Sequence, residues 1–191
     1  QDVDHDRCGV VPHLMDPNFG FALYAENVLT KPQITAWRTG RVKAVGSKTA
    51  PELYTAHLSQ RETAQILSNF FYDVRLKSRI ELRAADSMPP RYIAAYAQLV
   101  KSVFGSPAAL QNVLRHYVGI TTLDITTAKL AVCKDGFNAL AYGKPISSEL
   151  TWLLMQARSR TPSQEERALL DPFMALVMKR KTIRETENYN E

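Results

Sequence analysis

The feature that most constrains this chain is the run Val74-Arg75-Leu76-Lys77-Ser78-Arg79-Ile80-Glu81-Leu82-Arg83. Val74, Leu76, Ile80 and Leu82 occupy one set of alternating positions, and Arg75, Lys77, Arg79, Glu81 and Arg83 the other. A period of two belongs to a strand with one buried face. The spacing therefore predicts one strand over 74–83, about 30 Å long at roughly 3.3 Å per residue. Its apolar face should enter a core and its charged face should open on a cleft. Like charges in a row on one strand face repel, so acidic cross-strand partners, open water or a polyanionic ligand must compensate. A solvated strand and a phosphate-binding face both satisfy that requirement. Arginine suits phosphate because its fork donates two hydrogen bonds at once. Glu81, set between Arg79 and Arg83, suits an oxygen ligand for a Mg²⁺ that bridges phosphates.

Around this strand the chain reads as a mixed part over 1–90 and a helical part over 91–184, together one domain. Phe21 to Leu29 fits a helix. Residues 33–45, broken at Gly40, fit weak strands or a hairpin. A short helical segment falls within 47–58. Ser59 with Glu62 is a capping box for a helix over 59–68. In 91–104, Ile93, Tyr96, Ala97, Val100, Val103 and Phe104 follow helical spacing and should face the core. Ser106-Pro107 starts a further helix. Others are expected over 122–141, 147–158 and 162–181, the last capped by Thr161 with Pro162 at its first position. The polar residues 185–191 read as a frayed tail.

Composition removes several function classes. Of 191 residues, 45% are hydrophobic and 23% charged, the balance of a globular domain. No apolar run reaches the length of a membrane span. Cys8 and Cys133 are far apart and form no C-x-x-C pair, which suits reduced thiols in a cytoplasmic protein. The net charge of +5 permits a phosphate-bearing partner without requiring one. His5, His13, His57 and His116 lack metal-ligand spacing, and no glycine-rich phosphate loop is present. No aromatic residues interleave with the cations of the charged face, which argues against nucleic acid.

Three segments resemble one family. Val74 to Ser87 is similar to the "VRLK..hExRgAD" segment of glutamate–cysteine ligases of the plant and bacterial type. Asp4-His5-Asp6-Arg7-Cys8-Gly9-Val10-Val11-Pro12 resembles that family's "D..RtG..P" motif, and Phe19-Gly20-Phe21-Ala22-Leu23-Tyr24 its "FGF..Y" element. Order and rough spacing agree over about residues 4–105. The resemblance implies an α+β fold: a partial, mostly antiparallel sheet of the glutamine-synthetase-like catalytic type, followed by a helical C-terminal half. It implies ATP and Mg²⁺, with glutamate phosphorylated on its γ-carboxylate and then joined to the amine of cysteine. Carried over by position, Glu81 is a metal ligand, Arg83 approaches the transferring phosphate, Arg7 pairs with a substrate carboxylate, and Arg75 and Lys77 line the nucleotide side. Ala84 stands where the family usually has Gly, and Cys8 where it commonly has Thr.

A Mg²⁺–ATP site needs several carboxylates, and the family supplies most of them from strands N-terminal to this segment. The expectation is therefore a C-terminal fragment of a larger catalytic domain, inactive without its N-terminal part and able to dimerise through an exposed sheet edge. Two alternatives stay open: a carboxylate–amine ligase with another amine substrate, and a non-catalytic interaction domain.

Overall fold

The computed structural model describes Asp4, residues 7–55 and residues 57–187. His5 and Asp6 of the Asp4–Pro12 motif lie outside the described residues, as do positions 188–191 of the tail. The chain forms two compact units, Gln1–Asp86 and Ser87–Glu191, and its elements are mixed helix and strand. Among the described residues no helix is long and apolar enough to cross a membrane.

The first unit runs β1 (Cys8–Gly9), α1 (Phe21–Leu29), β2 (Thr35–Arg38), β3 (Arg41–Ala44), α2 (Ala50–Leu53), α3 (Gln60–Ser68), β4 (Phe71–Tyr72), β5 (Val74–Leu76) and β6 (Ile80–Leu82). β1 pairs in parallel with β4, while β2–β3 and β5–β6 are antiparallel hairpins. The expected hairpin within 33–45 turns at Thr39-Gly40, both in the left-handed region at φ 48° and 79°. That is the backbone a two-residue hairpin turn requires. α3 begins with the expected capping box: the Ser59 amide donates to the Glu62 carboxylate (2.9 Å) and the Glu62 amide to the Ser59 hydroxyl (3.3 Å).

Asn69, one residue past α3, fastens that helix to β2. Its Oδ1 accepts from the Thr35 amide (2.9 Å) and hydroxyl (3.1 Å), and its Nδ2 donates to Gln33 Oε1 (3.0 Å) and Thr35 O (2.9 Å). Both amide side chains are buried, and this mutual satisfaction is what makes their burial tolerable. Beside them Phe70 and Tyr72 are completely enclosed, packed with Val11, Tyr24, Val28, Ala50 and Ile66.

The 74–83 run differs from its expectation. It is a hairpin, not one strand, with Val74 opposite Leu82, Arg75 opposite Glu81, and Leu76 opposite Ile80. The burial is largely reversed as well: Ile80 is 67% exposed and Val74 38%, while Arg75 is only 8% exposed. The alternation survives because an odd, three-residue turn keeps the two arms in phase, so period two alone could not reveal the reversal.

The second unit runs α4 (Pro90–Phe104), α5 (Pro107–His116), α6 (Thr122–Asp135), β7 (Leu140–Ala141), β8 (Lys144–Pro145), α7 (Ile146–Ser159), α8 (Gln164–Ala168), α9 (Asp171–Lys179) and α10 (Ile183–Thr186). Val103, Leu154, Ala157 and Leu170 form its core, with Leu99, Val113, Phe173 and Met174 against them. Four expectations are corrected. α4 buries Tyr92, Ala95, Gln98, Ser102 and Val103, leaving Ile93 and Phe104 about half exposed, because Gln98 and Ser102 satisfy each other and Thr161 in the interior. The helix expected over 122–141 stops at Gly136, whose φ of 53° leads into the β7–β8 hairpin. The helix expected over 162–181 is two helices, and its cap is Ser163, which accepts from the Glu166 amide, while Thr161 is buried. Residues 183–186 form a capped helical turn, and Glu187 pairs with Arg91, so this part of the tail is anchored.

A buried carboxylate joins three elements of this unit. Glu149 on α7 meets His116 Nε2 of α5 at 2.9 Å and Lys144 Nζ of β8 at 3.4 Å, and His116 stacks on Trp152 with centroids 3.5 Å apart. Burial pushes the Glu149 carboxyl up, but the His116 and Lys144 donors outweigh it and hold the group below its ordinary value. Its contribution is therefore present above the ordinary carboxylate range and lost as pH falls through the folded pKa.

Phe70→Ala is expected to cost about 3–5 kcal/mol in chemical denaturation, the usual range for emptying an enclosed aromatic site. Glu149→Gln is expected to cost about 1–3 kcal/mol at neutral pH, with the gap to wild type narrowing in thermal melts as pH falls below the ordinary carboxylate range.

Candidate functional site

Arg75, Lys77, Glu81 and Arg83 all belong to the β5–β6 hairpin or its edge. Its turn, Lys77-Ser78-Arg79, closes with the Lys77 amide donating to Arg79 O (2.9 Å), and its base with the Arg83 amide donating to Asp73 O (2.7 Å). Arg75 and Glu81 sit directly opposite on one face. Arg75 Nε and Nη2 both donate to Glu81 Oε2, at 2.9 and 2.6 Å, and Nη1 donates to Phe70 O at 3.1 Å. Every guanidinium nitrogen of Arg75 thus has a protein acceptor, which accounts for its burial. Both donors land on one oxygen of Glu81, and Oε1 accepts no hydrogen bond from the described residues.

The remaining cations stand around that carboxylate. Arg83 Nη1 lies 3.7 Å from Glu81 Oε2, and the Arg83 guanidinium is partly exposed, 5.9 Å from the centre of the Phe71 ring. Lys77 Nζ donates to Ser68 Oγ at 3.0 Å, tying the turn to α3. The hydrogen bonds from Arg75 hold the Glu81 carboxyl below its ordinary value, with the charges of Arg75, Lys77 and Arg83 adding to the effect against a smaller desolvation. Glu81 is therefore a fixed carboxylate at neutral pH, in surroundings of net positive charge.

Arg7 approaches through backbone pairing. Phe71 N donates to Arg7 O (2.6 Å) and Asp73 N to Gly9 O (2.7 Å), so β1 lies against the strand that leads into the hairpin. The Arg7 guanidinium pairs with Asp4 and donates through Nη1 to Pro32 O (2.6 Å). Its Nε is the one enclosed side-chain nitrogen or oxygen left without a partner among the described residues. Cys8, the next residue, carries a half-buried free thiol.

The other face of the hairpin meets the aromatic element. Val74, Leu76 and Ile80 line a cavity of about 290 Å³ together with Leu14, Phe19, Phe21 and Tyr24. The Tyr24 hydroxyl accepts from the Leu76 amide at 3.2 Å. The three segments that suggested a family are thus neighbours in one unit: β1 through β4, and the Phe19–Tyr24 element through the apolar side of the hairpin.

Sequence reasoning missed the Arg75–Glu81 pair, the Phe70 carbonyl that anchors it, and the Tyr24 hydroxyl. A signal for the pair existed, since opposite charges six positions apart meet across a three-residue hairpin turn, but an uninterrupted period of two masked it. Arg75, Glu81 and Arg83 are brought together, Lys77 sits at the turn above α3, and Arg7 joins through the β1–β4 pairing.

Chemically, an open carboxylate oxygen among cations suits an anionic ligand that carries its own divalent cation better than a bare cation. Among the described residues no group of three or more His, Cys, Asp and Glu side chains could hold a metal ion. Glu81 offers one open carboxylate oxygen, too few by itself to hold such an ion.

Comparison with known proteins agrees with the motifs. Residues 1–171 match the model of glutamate-cysteine ligase family 2 (GCS2). The chain is 29% identical over 121 residues to a chloroplastic glutamate–cysteine ligase of Brassica juncea, a match covering 59% of this chain and 24% of that protein. The chloroplastic enzymes of Arabidopsis thaliana and Nicotiana tabacum are 28% and 26% identical over the same length, covering 59% of this chain and 23% of each relative. The matched segment spans about a quarter of the length of these curated relatives.

Arg75→Met is expected to return the Glu81 carboxyl toward its ordinary value and to lower the melting temperature at neutral pH. Titration of the ¹³C-labelled carboxyl by NMR reads the first effect, and a Glu81 midpoint unchanged by the substitution would contradict the pairing described.

Proposed function

Because the chain belongs to glutamate-cysteine ligase family 2, we propose that it contributes the β5–β6 hairpin to the site of an ATP-dependent ligase that joins the γ-carboxylate of glutamate to the amine of cysteine. The observation that carries this reading is the open Oε1 of Glu81, a carboxylate held ionised by Arg75 and flanked by Arg83. In the proposed reaction a γ-carboxylate oxygen of glutamate attacks the terminal phosphorus of ATP and ADP leaves. The cysteine amine then attacks the acyl carbon, loses a proton, and phosphate departs. Mg²⁺, when bound, would neutralise phosphate charge during the transfer.

The residues divide the work according to their freedom. Glu81 offers Oε1 as one metal ligand. Arg83, partly exposed, is free to meet the transferring phosphoryl group with its fork. Arg75 is a positioning residue in this reading, because its three nitrogens already serve Glu81 and Phe70; this departs from the direct nucleotide contact that the family resemblance implies. Lys77, on the turn, adds positive charge on the nucleotide side. Arg7 has an enclosed Nε in want of an acceptor, which a substrate carboxylate would supply. The single carboxylate of the hairpin makes the site depend on further carboxylates from the rest of the enzyme.

The test is ATP turnover with glutamate, cysteine and Mg²⁺ in the active ligase that includes this hairpin, before and after Glu81→Gln and Arg83→Ala. Each substitution is expected to lower kcat about 10²-fold or more, the scale of losing one preorganised transition-state contact. Turnover within about twofold of wild type in both variants would remove the hairpin from the chemistry. The 191-residue chain alone is expected to show no turnover, and activity there would mean that the hairpin's one carboxylate is sufficient.

A further inference from the structure

We propose that the outer edge of β3 takes an extended segment of a partner protein in which acidic and apolar residues alternate. All four residues of β3 are exposed, and among the described residues β2 is the one strand beside it. β3 lies outside the residues given a role in the ligase chemistry, and its edge is a separate surface of the first unit.

The two edges of the β2–β3 hairpin are unlike. On β2 the outward amides are already used: Thr35 N–H donates to Asn69 Oδ1 (2.9 Å) and Trp37 N–H to the Tyr54 hydroxyl (3.1 Å). Residues opposite one another in an antiparallel pair turn their main-chain groups alike, both toward the partner strand or both outward. Val42 stands opposite Trp37 and Ala44 opposite Thr35, so the N–H and C=O groups of Val42 and Ala44 point away from β2. The Val45 amide, next along, turns inward to Ile34 O (3.2 Å), in keeping with the same alternation. Among the described residues no side chain caps the Val42 and Ala44 amides as Asn69 and Tyr54 cap those of β2. An extended chain laid along this edge gains main-chain hydrogen bonds at both residues.

The side chains of β3 set the composition of that chain. Arg41 and Lys43 lie on one face of the strand, and Val42 and Ala44 on the other. Residues 27–51 contain five Lys and Arg and no Asp or Glu. Glu52 and Glu62, on α2 and α3, are engaged in capping Thr49 and Ser59. Arg38 is held by the Leu53 carbonyl, whereas Arg41 and Lys43 make no ion pair among the described residues. A strand added at this edge sets alternate residues beside Arg41 and Lys43, where carboxylates are favoured. The residues between them fall beside Val42 and Ala44, where apolar side chains are favoured. A second copy paired through the middle of β3 would instead set cations against cations, the arrangement by which charged edges avoid self-association. Single-stranded nucleic acid wants open aromatic rings, and here Arg61 lies over Trp37 at 3.8 Å and Arg38 over Tyr54 at 5.2 Å.

The test is NMR titration of the ¹⁵N-labelled 191-residue chain with a capped Thr-Glu-Val-Glu-Val-Glu-Thr peptide. Its comparators are a peptide of the same composition with the Glu and Val residues in separate blocks, and a single-stranded oligothymidine of equal charge. The alternating peptide is expected to give saturable shifts and slowed amide exchange at Val42 and Ala44. The block peptide and the oligonucleotide are expected to bind about tenfold more weakly or worse. Lys43→Glu, checked for folding by its melting temperature, is expected to weaken the alternating peptide about tenfold. No saturable shift at Val42 and Ala44, or a comparator binding as tightly as the alternating peptide, would overturn the proposal. So would protection of these two amides by self-association without peptide, which assigns the edge to a second copy. Failure of the active ligase to bind a peptide that the 191-residue chain binds would overturn it as well, by assigning the edge to a strand of the enzyme itself. Ranking the three ligands on the wild-type chain decides the matter even where Lys43→Glu does not fold.

Discussion

The first unit depends on a buried guanidinium. Its strands are short, and two-residue pairings such as β1–β4 offer few ladder hydrogen bonds. Arg75 adds what the strands lack. From β5 it reaches the Phe70 carbonyl beside the aromatic core and the Glu81 carboxylate on β6, so one side chain ties the hairpin both to itself and to the core. A cation accepts burial only when it finds acceptors, and here every guanidinium nitrogen of Arg75 has one. The same bonds that make the hairpin rigid leave Glu81 ionised, with one oxygen turned to its surroundings. The rigidity of the hairpin and the fixed charge of Glu81 therefore come from one arrangement.

The same rule operates in the second unit with the roles exchanged. There the buried group is a carboxylate, Glu149, and the partners that make its burial tolerable are His116 and Lys144 from separate elements. The Tyr117 hydroxyl is pushed well above its ordinary value, by burial first and by the Glu149 charge second. In both units a charged side chain marks the place where several short elements must be held together, because apolar contact alone does not specify their register.

What the sequence made legible was local. Caps were readable because the residues that make them lie within one turn: Ser59 with Glu62, and Ser106 before Pro107, are present as expected. The family motifs were readable for the same reason. The fold of the hairpin was not, since Lys77-Ser78-Arg79 contains no Gly, Pro or Asn to announce a turn and the alternation runs through it. Nor was the burial of Arg75, which depends on a carbonyl that becomes available only when α3 has ended. The core face of α4 was misassigned because apolar spacing cannot show that Gln98 and Ser102 will be satisfied by Thr161 from a distant segment. Residues with tertiary partners were the ones that pattern alone misplaced.

The parallel pairing of β1 with β4 brings together residues roughly sixty positions apart. Closing a loop of that length costs entropy before any contact repays it, so this pairing is slower to form than the local turns around it. Arg7 is placed by this non-local pairing, with α1, the β2–β3 hairpin and α3 all lying in the intervening chain. A substitution in the intervening core can therefore disturb the position of Arg7 without touching Arg7 itself, through chain topology alone.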